Sequence, residues 1–276
     1  MIAPKRIGLV GNPTTWHSQQ LQAAFEKRGL LPIFTSCTRL QALLGAENRV
    51  VSGEEIWSDL DLVLVREVNG GSLEQVIYRM DALHQLEDSG VIVLNRPGAI
   101  EKMVDKYYAL SLLAQAGLVI PETIVTEDAA EALHAFDALG GDVVLKPLFG
   151  SRGIGMVRLN EREIAYRSFR ALELGHYVYY LQRYVPCRGY DLRVLVIGQQ
   201  CQAVSERHAS QWRKNISQGG VAHACELTPE IAESSLRAAQ ALGADYCGVD
   251  LLPGEDGRLY CLEVNSMPAW SGLQSV

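Results

Sequence analysis

A chain of 276 residues with 48% hydrophobic and 21% charged content is long enough for about two globular domains and has the composition of an ordinary enzyme. Its net charge of −7 excludes a nucleic-acid binder that works through bulk positive charge, leaving only local basic pockets open to anions. MIAPKRIGLVGN has no h-region followed by a cleavage site, and no apolar run is long enough to span a bilayer. A soluble, cytoplasmic protein with no membrane or nucleic-acid partner is the expectation.

In chain order, RIGLVGN (6–12) reads as a buried strand running into a glycine turn. SQQLQAAFEKRGL follows with helical spacing and stops at Gly29. PIFTSC, LDLVLVRE (60–67) and VIVLN (91–95) are three further short apolar strands, with SLEQVIYRMDALHQLEDSG as an amphipathic helix between the last two. Alternating strands and helices predict a parallel α/β sheet. Gly8 and Gly11 do not complete a dinucleotide fingerprint, and a plain strand-to-helix turn accounts for both.

Asn95-Arg96-Pro97-Gly98 marks a domain boundary, and AIEKMVDKYYALSLLAQAGL then reads as one helix closed by Gly117. TIVTE, the helix DAAEALHAFDALG, the strand DVVLKP, a glycine loop and MVRL (156–159) form an α+β unit whose loop joins two hairpin strands. YVYYLQRYVP (177–186) is another strand, and DLRVLVIGQQCQAVSERH is a hairpin turning at Gly198-Gln199. The helix TPEIAESSLRAAQALG and a second hairpin, YCGVDLLPGEDGRLYCLEVN, close the chain. The six cysteines form no CxxC pair and several lie in apolar runs, which predicts buried thiols in a reducing compartment. The six histidines show no zinc spacing.

The stretch VVLKPLFGSRGIGM (143–156) places one ammonium, Lys146, just upstream of Gly150, Gly153 and Gly155. That arrangement suits phosphate, but it is not a Walker A loop, because no Gly-Lys-Ser/Thr run opens a helix. Nor is it a protein kinase: the glycine loop would precede the lysine, and neither HRD nor DFG occurs. Phosphoryl transfer also needs divalent cations, and the terminal hairpin offers a site for them. Glu263 and Asn265 share a strand face, and folding the hairpin brings Asp250 opposite them within about a residue. Charges in the apolar strands GVDLL and CLEVN are costly unless paired or metal-bound, and this oxygen-rich trio suits Mg²⁺.

Lys106 in VDKYYALSLLAQAGL, Lys146 before GSRGIGM, LQRYVP, GYDLRVLVIG, ERHASQWRKNISQGG, GVDLL and CLEVNSMPAW follow one another in register from about residue 96 to 272. In that order they resemble the ATP-grasp carboxylate–amine ligases of the RimK type, the α-L-glutamate ligases. The resemblance implies an α/β and α+β chain. An N-terminal parallel α/β pre-ATP domain (1–95) precedes a two-lobed ATP-grasp fold, its central lobe at 96–186 with a glycine-rich lid and its C-terminal lobe at 187–276 with the metal site.

The resemblance also implies roles. Lys106 and Lys146 neutralise ATP phosphates, and Gly150, Ser151, Gly153 and Gly155 cover the triphosphate. Gln182, Arg183, Tyr184 and Val185 hold adenine, mainly through the backbone, with Arg183 standing where the family usually has Glu. Asp191 is the ribose-side acid; Arg193, Arg213 and Asn215 approach the γ-phosphate or acyl phosphate; Asp250, Glu263 and Asn265 hold two Mg²⁺, for which Mn²⁺ can substitute. ATP, an amino acid (commonly L-glutamate) and a carboxylate-bearing acceptor are the implied partners, and a homo-oligomer the expected assembly.

The ending EVNSMPAWSGLQSV is closer to RimK-like proteins of one-carbon metabolism, which favours a tetrahydromethanopterin-type acceptor over a protein C-terminus or carrier protein. Trp270 either offers a ring face to a flat substrate or plugs the space under the hairpin. Two other classes stay open: an ATP-binding regulatory protein without ligase activity, and an ATP-grasp phosphotransferase or D-Ala–D-Ala-type ligase.

Overall fold

The computed structural model describes residues 6–150, 153–209, 212 and 221–273. The chain divides into two compact units, one of residues 1–101 with 244–246 and 266–271, the other of residues 102–243 with 247–265 and 272–276.

The first unit begins with β1 (Ile7–Val10), α1 (Trp16–Glu26) and β2 (Ile33–Thr35). Three short strands follow, β3 (Gln41–Leu43), β4 (Arg49–Ser52) and β5 (Glu55–Ile56), and then β6 (Leu62–Val65), α2 (Leu73–Asp88) and β7 (Ile92–Leu94). The expected parallel sheet is present with order β2-β1-β6-β7, and β3-β4-β5 make a separate antiparallel sheet. Gly8 lies inside β1, not in its turn: a Cβ there would stand 2.5 Å from Cζ3 of the buried Trp57, so close packing of the indole demands glycine. Fully buried Asn95 fastens the returning segments. Its Nδ2 donates to the carbonyls of Tyr246 (2.8 Å) and Ser266 (2.6 Å), and its Oδ1 accepts from the amides of Asp245 and Tyr246.

The predicted single helix after residue 98 is two helices, α3 (Pro97–Val104) and α4 (Lys106–Gln115). Asp105 divides them. It takes an extended conformation, and its carboxylate accepts from the Tyr108 amide, so an N-cap replaces the helical turn.

The second unit continues through β8 (Thr123–Thr126), α5 (Ala129–Ala138), β9 (Val143–Lys146), β10 (Val157–Leu159), α6 (Arg162–Glu173) and β11 (Tyr179–Arg183). These strands form an antiparallel sheet of order β10-β9-β11-β8, and Phe136, Leu145, Phe169 and Tyr179 pack the helices on it. The hairpin expected across the glycine loop is the β9–β10 pair. A second sheet holds β12 (Tyr190–Ile197), β13 (Gln200–His208) and β14 (Val221–Ala224). After α7 (Pro229–Leu242) the chain adds β15 (Tyr246–Pro253) and β16 (Leu259–Asn265). The order is β14-β13-β12-β15-β16, and both predicted hairpins are in it. α7 shows complete punctuation: Thr228 caps it, Pro229 opens it, and Gly243 ends it at φ +70°. All six cysteines are free, with Cys37, Cys247 and Cys261 buried. Among the described residues no helix is long and apolar enough to cross a membrane.

Candidate active site

Within the second unit one cleft is lined by both lysines, by Gly150 and Gly153 of the loop, and by the 182–185 segment, together with Asp191, Asp250 and Glu263. Two elements deliver its cationic end, β9 and α4. β9 ends at Lys146, whose buried Nζ donates to Gln182 Oε1 at 2.5 Å, and Gln182 in turn donates to Thr123 Oγ1 at 3.0 Å. Lys106, the first residue of α4, donates to the carbonyls of Gly150 (2.7 Å) and Leu148 (3.3 Å). The cap at Asp105 therefore sets an ammonium at a helix N-terminus beside the glycine loop, a favourable place for an oxyanion.

Burial lowers the pKa of both lysines, Lys146 to about 8, against the raising effect of Glu263 on each. Cations held in a low-dielectric site without a carboxylate in hydrogen-bond contact are poised for an anion from outside. Gly153 and Gly155 take φ of +70° and +79°, and Gly150 +145°, backbone that L side chains rarely adopt.

The 182–185 segment is tied by its main chain. The amide of Arg183 donates to the Glu122 carbonyl (2.8 Å) and that of Tyr184 to the Asp142 carbonyl (2.9 Å), so the next main-chain donor is Val185. The Arg183 side chain pairs with Glu122 at 2.6 Å, both largely exposed. Arg158 of β10 forks onto Asp142 (2.8 and 2.6 Å) and lies 3.5 Å over the Tyr184 ring, bracing the segment.

The acidic end is a row of charges across four neighbouring strands. Asp191 on β12 stands directly opposite Arg207 on β13, and Asp250 on β15 opposite Glu263 on β16. Arg207 holds Asp191 with a fork of 2.6 and 2.8 Å, and Arg193 approaches Asp250 at 2.6 and 3.0 Å. Asn265 donates to Glu263 Oε1 at 3.2 Å. Burial raises the pKa of Asp250 despite Arg193 and Arg207. Burial also acts to raise Glu263, but the hydrogen bond with Asp250 and the charges of Lys146 and Arg193 outweigh it and hold Glu263 low. Two carboxylates so placed repel one another when both are ionised, and a divalent cation between them would relieve that repulsion.

The donor set fits Mg²⁺. Asp250 Oδ1 is buried and lacks an aligned hydrogen-bond donor, because the short Arg193 Nε approach is an ion pair without hydrogen-bond geometry. Glu263 and the Asn265 amide oxygen complete a hard oxygen trio. Among the described residues no three His, Cys, Asp or Glu side chains form a metal cage by themselves. A cation here would need further oxygens from a bound polyphosphate, the usual habit of Mg²⁺.

Fourteen of the seventeen site residues singled out from sequence are described, and Ser151, Arg213 and Asn215 lie outside the described residues. Arg207 was not singled out, although ERHASQ was. Counting outward from the Gly198-Gln199 turn sets it opposite Asp191 within one residue, and that arithmetic was the available signal. Trp270 packs in the first unit, with the Arg66 guanidinium 4.5 Å over one face and the rings of His17 and Trp16 at 4.6 and 6.3 Å.

The chain matches the RimK-like ATP-grasp domain over residues 103–275. It is 32% identical to the tetrahydromethanopterin:α-L-glutamate ligase of Methanosarcina acetivorans, an alignment covering 98% of this chain and 94% of that protein. It is 34% identical to the ribosomal protein bS6–L-glutamate ligase of Escherichia coli O7:K1, over 71% of this chain and 67% of that protein. In fold it superposes on a RimK-domain ATP-grasp protein of Sphaerobacter thermophilus with a TM-score of 0.78 at 20% identity, covering 98% and 94% of the two chains. The ATP-grasp ligase PsnB gives 0.75 at 24% identity, covering 98% and 93%. By that match and that identity, the chain is a member of the RimK-like ATP-grasp family of ligases.

Proposed function

We propose that this ligase joins L-glutamate to a carboxylate of a small-molecule acceptor of the tetrahydromethanopterin type. The observation that carries the acceptor class is coverage. Two relatives named for that acceptor align over 98% of the chain and a third over 79%, whereas the ribosomal-protein ligases align over 71%.

In this reading Lys106 and Lys146 take the nucleotide's phosphates, Arg183 to Val185 take the base through the main chain, and Asp191 faces the ribose. The loop glycines allow backbone N–H groups to close on the triphosphate. The acceptor carboxylate attacks the γ-phosphorus, breaking the β–γ bridge and giving an acyl phosphate and ADP. The glutamate amine then attacks the acyl carbon, loses a proton and expels phosphate, leaving an amide. Arg193, with Arg213 and Asn215, stabilises the charge that builds on the acyl and phosphoryl oxygens. Mg²⁺ at Asp250, Glu263 and Asn265, two ions in this reading, supplies charge neutralisation to the polyphosphate. No protein nucleophile enters, and among the described residues the cleft lining holds no Ser/His/Asp or Cys/His set.

The test is mass spectrometry after incubation with ATP, Mg²⁺, L-glutamate and either tetrahydromethanopterin or a peptide ending in the bS6 C-terminus. Gain of a glutamyl residue by the pterin alone supports the reading. Gain by the peptide alone overturns it in favour of a protein acceptor.

A further inference from the structure

Arg207 carries more geometry than any other side chain of the cleft. It is 4% exposed, and the two acids it reaches, Asp191 and Asp250, are 7% and 2% exposed. Its Nε and Nη2 fork onto Asp191 at 2.6 and 2.8 Å, and the same Nη2 lies 3.1 Å from Asp250 Oδ2. The three side chains come from β13, β12 and β15, adjacent strands of one sheet. A planar guanidinium therefore fixes the separation of two buried carboxylates, one toward the nucleotide segment and one beside Glu263. An ammonium at the end of a lysine stem can offer charge there, but not a fork and a bridge together. Asp250 is also held by Arg193, so Arg207 is not needed merely to neutralise it; the bridge is what Arg207 adds.

We propose that Arg207 is a positioning residue that couples the nucleotide end of the cleft to the metal end, by holding Asp191 and Asp250 in one rigid bridge. This rests on the nucleotide-and-metal reading above. Cation binding at the Asp250 end then tightens the hold on the nucleotide at the Asp191 end, and nucleotide tightens the cation reciprocally by the same factor.

The experiment is calorimetric titration of ADP into the full chain, with EDTA and again with saturating Mg²⁺, for the wild type and Arg207→Lys. The wild-type ratio of the two Kd values measures the coupling. In Arg207→Lys that ratio falls toward one, by about fivefold or more, while the metal-free Kd moves less than about threefold. An unchanged ratio, or both Kd values weakened by a common factor, overturns the proposal and leaves Arg207 a structural residue. If the lysine variant fails to fold, the charge-neutral pair Asp191→Asn with Arg207→Met leaves no lone buried charge. A folded double variant that keeps the wild-type ratio overturns the proposal equally. ADP binding in the wild type that is absent, or indifferent to Mg²⁺, overturns the nucleotide-and-metal reading itself, an outcome distinct from failure of Arg207 alone.

Discussion

Replacing Lys146 with methionine should stabilise the empty protein at neutral pH while removing its response to nucleotide. Burial takes this lysine from an ordinary value of about 10.4 to about 8. At ~1.4 kcal/mol per tenfold, holding it charged at pH 7 costs about 3 kcal/mol. Against this, the variant loses the 2.5 Å bond to Gln182 and leaves that buried carbonyl oxygen short of a donor, at about 1–2 kcal/mol. The net gain is about 1–2 kcal/mol, or roughly 2–6 °C in Tm.

The sign of the pH dependence is fixed. Between about pH 8 and 10.4 the unfolded chain keeps a lysine proton that the folded chain has lost, so wild-type stability rises with pH from this group. Below pH 8 both states hold the proton and the full cost remains. The Tm gap, variant minus wild type, should therefore be widest below pH 8 and close by about pH 10, other titrations cancelling in the difference. Differential scanning calorimetry from pH 6.5 to 10 measures it. A variant less stable than wild type at pH 7, with a gap that does not change with pH, refutes the idea that this ammonium is buried at a cost and awaits an anion.

Two smaller perturbations test the frame around the cleft. Gly8→Ala forces a methyl to 2.5 Å from Trp57 and should destabilise the first unit by about 1–3 kcal/mol, read as a lower urea midpoint. Arg158→Ala removes the fork on Asp142 and the cation over Tyr184. At ~1 kcal/mol it should raise the ATP Kd about fivefold, and equilibrium binding of ATP reads this directly.

The alternation of strands and helices was legible because β1, β6 and β9 are nearly all apolar, and turns such as Gly198-Gln199 and Pro253 to Gly257 punctuate the hairpins. The β3-β4-β5 sheet was not, because strands such as Glu55–Ile56 and Gln41–Leu43 are too short and polar for a period to register. α6 was passed over although Ala165 and Phe169 stand four apart on its buried side: its first turn is charged, and the apolar YVYYLQRYVP beyond it dominates the local pattern. In the site, pairing distance was recoverable and partner choice was not. Asp250 facing Glu263 follows from one hairpin, but that Arg207 would hold Asp191 while Arg193 holds Asp250 depends on three strands meeting in one sheet. Lys106 shows the same limit, since only the local break at Asp105 turns a helix-surface lysine into the N-terminal residue of α4.

The most direct test of the central claim is phosphate release from ATP with Mg²⁺, L-glutamate and tetrahydromethanopterin, each omitted in turn, for the wild type and Glu263→Ala. The account predicts turnover only when all four are present, with ADP and phosphate formed together, and loss of about a hundredfold or more in the variant. ATP hydrolysis that ignores glutamate and acceptor, or a Glu263→Ala enzyme as fast as the wild type, would contradict it.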